Sequence, residues 1–231
     1  MKPRIEHQEF EERIKKTQLA MAEEGLDLIF AYGNEAEPQY IRYYSNYWPS
    51  FEVAGVLIPA EGEAILIIGP ESETFAGSVS HIAKIRKVLA FRESSEPEYP
   101  GAVLCTMAEV MKEAMQGKKA KRIGIVGGCL ISHVVYLALD EALKQMDNPE
   151  LVKADLLVSK LRAIKSPAEI ACMKEAYRIT QCAMIKVLDN IRVGMTEEQV
   201  RGIAVSVMFE EGAEGEAYPC WVLAGEGSNL A

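Results

Sequence analysis

The run Leu161-Arg-Ala-Ile-Lys-Ser-Pro-Ala-Glu-Ile170 constrains this chain more than any other. The first backbone N–H groups of a helix lack intrahelical acceptors, and a serine hydroxyl placed as Ser166 is can accept from one of them. Pro167 then takes the first helical position, where its missing N–H costs nothing. Glu169, three residues past the cap, can bond back to the Ser166 amide and complete a capping box. Such a cap stabilises a helix start by about 1 kcal/mol. A short helix ends before this point and the longest apolar periodicity in the chain begins after it, so any fold must break here.

Before the break, apolar spacing predicts a helix over 8–24, with Phe10, Ile14, Leu19 and Met21 as its apolar contacts and Gly25 as its stop. Residues 26–31 read as a buried strand, Gly33-Asn34 as a turn, and Pro38 as the opening of a short helix over 39–44. Apolar runs at 53–59 and 64–69, joined by Ala60-Glu-Gly-Glu63, read as a β-hairpin. A helix over 71–80, a strand over 84–89, and an exposed connection over 92–101 rich in Pro, Ser and Glu follow. Then come a helix over 102–115, a strand over 122–126, and a helix from Ser132 to about 146. This order predicts an α/β domain with a mixed sheet. It breaks near Asn148-Pro149, and the domain is assigned to 1–154. Ile123-Gly-Ile-Val-Gly-Gly128 lacks the Gly-x-Gly-x-x-Gly spacing and a following acidic residue in register, so it reads as a strand-to-helix turn rather than a nucleotide loop.

After residue 154, Asp155 is expected to cap a helix running to about 163. The helix over 167–191 carries an apolar stripe of Ile170, Met173, Tyr177, Thr180, Met184, Val187 and Ile191. At 1.5 Å per residue that stripe is ~37 Å long. Val193-Gly194 ends it; Thr196 and Gln199 form a second capping box, with Met195 placed to pack back on Val200. Residues 217–224 read as an apolar strand. Two helices and one strand cannot close a core, because the stripe needs a sheet beneath it and the strand needs partners for its backbone groups. The segment 155–231 is therefore expected to be the first part of an incomplete second domain, and the chain a piece of a longer protein.

A formal net charge of −9 argues against a general nucleic-acid binder. No apolar run approaches the ~20 residues of a membrane span, and no apolar segment follows the first charges as in a secretory signal. The five cysteines are odd in number, widely spaced and without a Cys-x-x-Cys pair, which fits reduced thiols in the cytoplasm. Tyr40, Tyr43, Tyr44, Tyr47, Trp48 and Phe51 form a dense aromatic segment with two readings. One is a small core under a loop. The other is a loop that covers a ligand or partner, where Tyr and Trp are favoured. His7, His81 and His133 read as surface or satisfied structural residues, and Glu197, Glu198, Glu210, Glu211, Glu214 and Glu216 as solvated charge.

Leu161-Arg-x-Ile-Lys-Ser-Pro-x-Glu-Ile170 resembles the domain junction of the creatinase/prolidase/aminopeptidase P group of metallopeptidases. Gly194-Met-Thr-Glu197, Glu211-Gly-Ala-Glu-Gly215 and Ala224-Gly225 with Asn229 are similar to that group in order and spacing, and Tyr40-Ile-Arg-Tyr-Tyr-Ser-Asn-Tyr47 looks like its Tyr-Leu-Thr-Gly-type segment. The resemblance implies a mixed-sheet amino-terminal domain followed by an α+β pita-bread catalytic domain. It implies an Xaa-Pro dipeptidase or aminopeptidase P-like hydrolase, in which a pair of Mn²⁺ or Co²⁺ ions activates the water that attacks the bond before proline. The family's ligands, two Asp, one His and two Glu, lie beyond the strand at 217–224. No catalytic residue or metal ligand is therefore expected within this chain, no metal is expected to bind it, and it is expected to be inactive alone. The resemblance further implies a homodimer acting on proline-containing peptides, with Trp48, Phe51 and Tyr47 as substrate-lid residues, and no nucleic-acid or membrane partner. Two other functions stand beside the peptidase: a creatinase-like hydrolase or lyase on the same fold, and a non-catalytic peptide-binding module.

Overall fold

The computed structural model describes residues 2–93 and 99–229. It divides into two compact units, Glu6–Ile164 and Lys165–Ala231 with Met1–Ile5. The expected connection over 92–101 lies partly outside the described residues.

In the larger unit the elements run α1 (His7–Glu24), β1 (Leu28–Gly33), α2 (Gln39–Ser45), β2 (Ala54–Pro59), β3 (Ile65–Ile68), α3 (Glu73–Val79), β4 (Lys84–Lys87), α4 (Met107–Met115), β5 (Arg122–Val126), α5 (His133–Lys144), β6 (Glu150–Lys153) and α6 (Asp155–Ala163). The six strands form one sheet in the order β4-β3-β2-β1-β5-β6. The β1–β2 and β2–β3 pairs are antiparallel, and the β3–β4, β1–β5 and β5–β6 pairs are parallel. The fold class is the mixed α/β sheet that the sequence predicts.

The central strands are buried throughout because helices cover both faces, and the two-residue repeat of a strand sorts their side chains. Ile29, Ala31, Val56, Ile58, Leu66 and Ile68 pack on one side with Met21, Ile41, Tyr44, Ala76, Leu157 and Val158. Leu28, Phe30, Tyr32, Leu57, Ile65 and Ile67 pack on the other with Met111, Leu139 and Phe91. Gly127 makes the turn after β5 with φ +75°, and a Cβ there would lie 2.6 Å from the Tyr32 carbonyl oxygen. Its N–H donates to Asp155 Oδ1 at 2.8 Å. The turn reading of Gly127-Gly128 is thus correct, whereas Asp155 sits inside α6, whose cap position is Ala154. Its carboxylate serves a neighbouring turn instead of its own helix.

Two further expectations need correction, and one strand was not foreseen. The predicted helix over 102–115 begins only at Met107, where Thr106 and Glu109 form a capping box. Cys105 instead makes a parallel bridge to Val88, so the start of the run is drawn onto the sheet edge. On α1 the buried face is Phe10, Arg13, Thr17 and Met21, and Leu19 is 69% exposed. The edge strand β6 carries a charge at each end, which hides its apolar centre from a pattern search.

In the smaller unit α7 (Pro167–Asn190) and α8 (Glu197–Glu210) both start with the expected capping boxes. Ser166 Oγ accepts from Glu169 N–H at 3.0 Å, and Glu169 Oε2 accepts from Ser166 N–H at 2.8 Å. The two helices meet through Ala183, Ala204 and Val207, with Cys182, Val187, Met208 and Cys220 alongside. Val187 is the stripe residue that joins this contact, whereas Ile170, Met173, Tyr177, Met184 and Ile191 are all exposed. Residues 217–224 carry no strand. An isolated run has no neighbour to accept its ladder bonds, and local carboxylates take that role instead.

Candidate functional site

The aromatic segment splits into an inner and an outer half. Tyr44 and Tyr47 are fully buried. Tyr44 Oη lies 3.0 Å from Thr17 Oγ1, and burial pushes its phenol well above the ordinary range. Tyr47 packs beside Phe75, ring centroids 5.8 Å apart, and its hydroxyl has no hydrogen-bond partner among the described residues. Tyr43 lies between two cations, with the Arg13 guanidinium 4.5 Å and the Arg162 guanidinium 5.9 Å from its ring. Arg13 is itself buried; it donates to the Tyr43 carbonyl at 2.9 Å and to Glu9 Oε1 at 2.6 Å. A buried guanidinium with a carboxylate, a carbonyl and two ring faces around it has the compensation that burial of charge demands.

Trp48 and Phe51 form the outer half. Trp48 is half-buried; its indole N–H donates to the Glu35 carbonyl at 3.0 Å, and the Arg42 guanidinium lies 5.0 Å from its ring. Phe51 is 48% exposed. Directly after it, Glu52 is buried, and its carboxylate accepts from the backbone N–H groups of Glu71 and Ser72, both at 3.1 Å. The same carboxylate leaves no room for a Cβ on Gly69. Burial raises the Glu52 pKa, and the bonds from Ser72 and Glu71 only partly oppose it. The loop that presents Trp48 and Phe51 is therefore fixed at its far end by a buried acid.

Of the three sequence-predicted lid residues, Trp48 and Phe51 are accessible and Tyr47 lies in the core beneath. Arg13, Glu52 and Arg162 escaped the sequence reading. One signal was available: the spacing Phe10, Arg13, Thr17, Met21 is a clean helical face, and a polar pair on such a face must be bonded to something buried.

The smaller unit holds a groove of about 320 Å³ between the start of α8 and the segment after Pro219, lined in part by Glu197, Arg201, Cys220 and Trp221. Glu197 Oε1 accepts from Ala224 N–H at 2.6 Å, and Glu216 Oε1 accepts from Cys220 N–H at 2.9 Å while its other oxygen faces Arg201 at 3.4 Å. These acids therefore hold backbone. Among the described residues no group of three or more His, Cys, Asp or Glu could hold a metal ion, so the donor set of a dinuclear centre is not matched by them. Among the described residues no helix is long and apolar enough to cross a membrane.

A model of the creatinase/prolidase N-terminal domain matches residues 13–164, and a model of metallopeptidase family M24 matches residues 171–231. An Xaa-Pro dipeptidase of Pyrococcus furiosus is 25% identical over 95% of this chain and 54% of its own length. A probable Xaa-Pro aminopeptidase of Aspergillus fumigatus is 31% identical over 42% of this chain and 20% of its own length. Among solved structures, the X-Pro aminopeptidase of Thermotoga maritima superposes with a TM-score of 0.68 at 23% identity, covering 89% of this chain and 51% of that one. The chain thus spans about half the length of that solved aminopeptidase and of the Pyrococcus dipeptidase.

Proposed function

The chain belongs to the creatinase/prolidase group of M24 metallopeptidases, and from that premise we propose that it is the amino-terminal half of an Xaa-Pro peptidase that hydrolyses the bond before proline. The observation that carries this reading is the order of the two family matches along one chain, together with similarity to an Xaa-Pro dipeptidase over 95% of this chain. In the complete enzyme a pair of divalent ions, Mn²⁺ or Co²⁺, supplies the activated water. On this reading this half contributes positioning rather than the chemical step.

On this reading the outer aromatic residues form the substrate lid. Trp48 and Phe51 offer an apolar surface to a proline ring, while Tyr47 is buried in the core and Glu52 fixes the loop. A homodimer would place such a lid beside a partner's catalytic domain. Five cysteines without disulfides fit a cytoplasmic enzyme.

The test compares the protein from the complete reading frame with the 231-residue chain, each with Mn²⁺ and an Xaa-Pro dipeptide. Turnover by the complete protein alone is expected. Turnover by this chain, or none by the complete protein with either ion, would reject the proposal. Within the complete enzyme Trp48→Ala is expected to raise KM several-fold and leave kcat nearly unchanged. An unaltered KM removes the lid from the reading.

A further inference from the structure

The start of α1 and the residues after α3 bring two of the three histidines together. His7 Nδ1 and His81 Nδ1 are 3.1 Å apart. The other ring nitrogen of His7, Nε2, lies 3.3 Å from Glu11 Oε1, one helical turn on. His81 is held in place independently of His7. The Phe10 ring stacks on it at 4.3 Å with 19° between the planes, and its backbone N–H donates to the Ser45 carbonyl at 2.8 Å. On either side of it, Ser80 and Ile82 are joined by two bonds of 3.0 Å through the Ser80 hydroxyl.

Two imidazole nitrogens at this separation share one proton or one metal ion, since both need the same pair of lone pairs. Glu11 behind His7 favours the tautomer with the proton on Nε2, which leaves Nδ1 bare. A carboxylate on the far nitrogen is the arrangement that orients a ligating imidazole. Burial and the facing His7 lower the His81 pKa, and Glu6 opposes them. Two nitrogens on one tetrahedral ion, each at about 2.0–2.1 Å, stand about 3.3–3.4 Å apart. The observed pair has to open by only ~0.3 Å to reach that geometry.

We propose that His7 and His81 form a two-imidazole site for a borderline divalent ion, Zn²⁺, Ni²⁺ or Cu²⁺, with water in the remaining positions. Imidazole selects these ions over Mg²⁺ and Ca²⁺, which take oxygen donors. The ion replaces the hydrogen bond between the rings: the His81 proton moves from Nδ1 to Nε2 by exchange with solvent, so that each neutral ring offers its Nδ1 lone pair, and neither net proton release nor a redox step is involved. It clips the first turn of α1 to the loop after α3. With two protein ligands the site is exchangeable rather than a permanent structural centre.

The test is calorimetric titration of the 231-residue chain with Ni²⁺ after its free cysteines have been alkylated, so that thiol binding does not enter the signal. His7→Asn and His81→Asn are each expected to weaken binding at least tenfold, and Glu11→Gln to weaken it about tenfold. His133→Asn, an exposed position at the start of α5, is expected to leave it unchanged. The protein has only three histidines, so long-range ¹H–¹⁵N spectra with Zn²⁺ give an independent readout. The Nδ1 signals of His7 and His81 are expected to shift together while those of His133 stay. Should His81→Asn unfold the chain, His7→Asn and the spectra decide. Binding that survives both single substitutions, binding lost in His133→Asn, or Nδ1 signals of His7 and His81 that ignore Zn²⁺ would each overturn the site.

Discussion

Glu52 shows what a single buried acid does to a fold. Its carboxylate satisfies two backbone N–H groups, yet burial makes ionisation costly and raises its pKa above the ordinary glutamate value of 4.5. Across the window from 4.5 up to the raised value, the folded state holds the proton that the unfolded state has released. Stability from this group is therefore fully present below 4.5 and falls as pH rises through the folded pKa. Glu52→Gln keeps an acceptor and removes the titration. Urea unfolding as a function of pH is expected to lose that downward slope in the variant. Ser166→Ala tests the other kind of residue, one whose partner is three positions away; loss of the capping box is expected to cost about 1 kcal/mol and to fray the first turn of α7 in hydrogen exchange. That contrast explains what was legible. Ser166 and Glu169 are local, so sequence alone places both halves of their bond. Arg13 and Glu52 are bonded to residues far along the chain, Tyr43 and Ser72 among them, and no local pattern announces such partners.

Among the elements, strands buried on both faces were legible because continuous apolar runs such as Ile65–Ile68 have few other fates. Residues 217–224 show the limit of that rule. Apolar content predicts the strand, but a strand exists only beside another, and Glu197 and Glu216 hold its N–H groups where no neighbour strand does. Helix α5 is a firmer case: Val135, Leu139 and Ala142 seal one face of the sheet. Leu139→Ala is expected to cost about 2–5 kcal/mol in denaturant unfolding, since it removes a fully buried side chain and leaves a cavity. On α7 the opposite result is expected. Tyr177 is 72% and Met184 58% exposed, so Tyr177→Lys and Met184→Lys should each shift stability of this chain by no more than about 0.5 kcal/mol.

At the scale of the whole molecule, the edges of its sheet are where a further strand could be added. The outer strands are β4, with Lys84, Arg86 and Lys87, and β6, with Glu150 and Lys153. The β4 cations are each held by an acid: Lys84 by Glu63 at 2.9 Å, Arg86 by Glu113 and Lys87 by Glu73, both at 2.5 Å. Joining two β4 edges would set cation against cation and break these pairs, a barrier that a plain apolar edge would lack. The practical consequence concerns fibril growth. Although its sheet is built from runs that would stack readily if exposed, three charges on one short strand guard the β4 edge against templating a cross-β assembly.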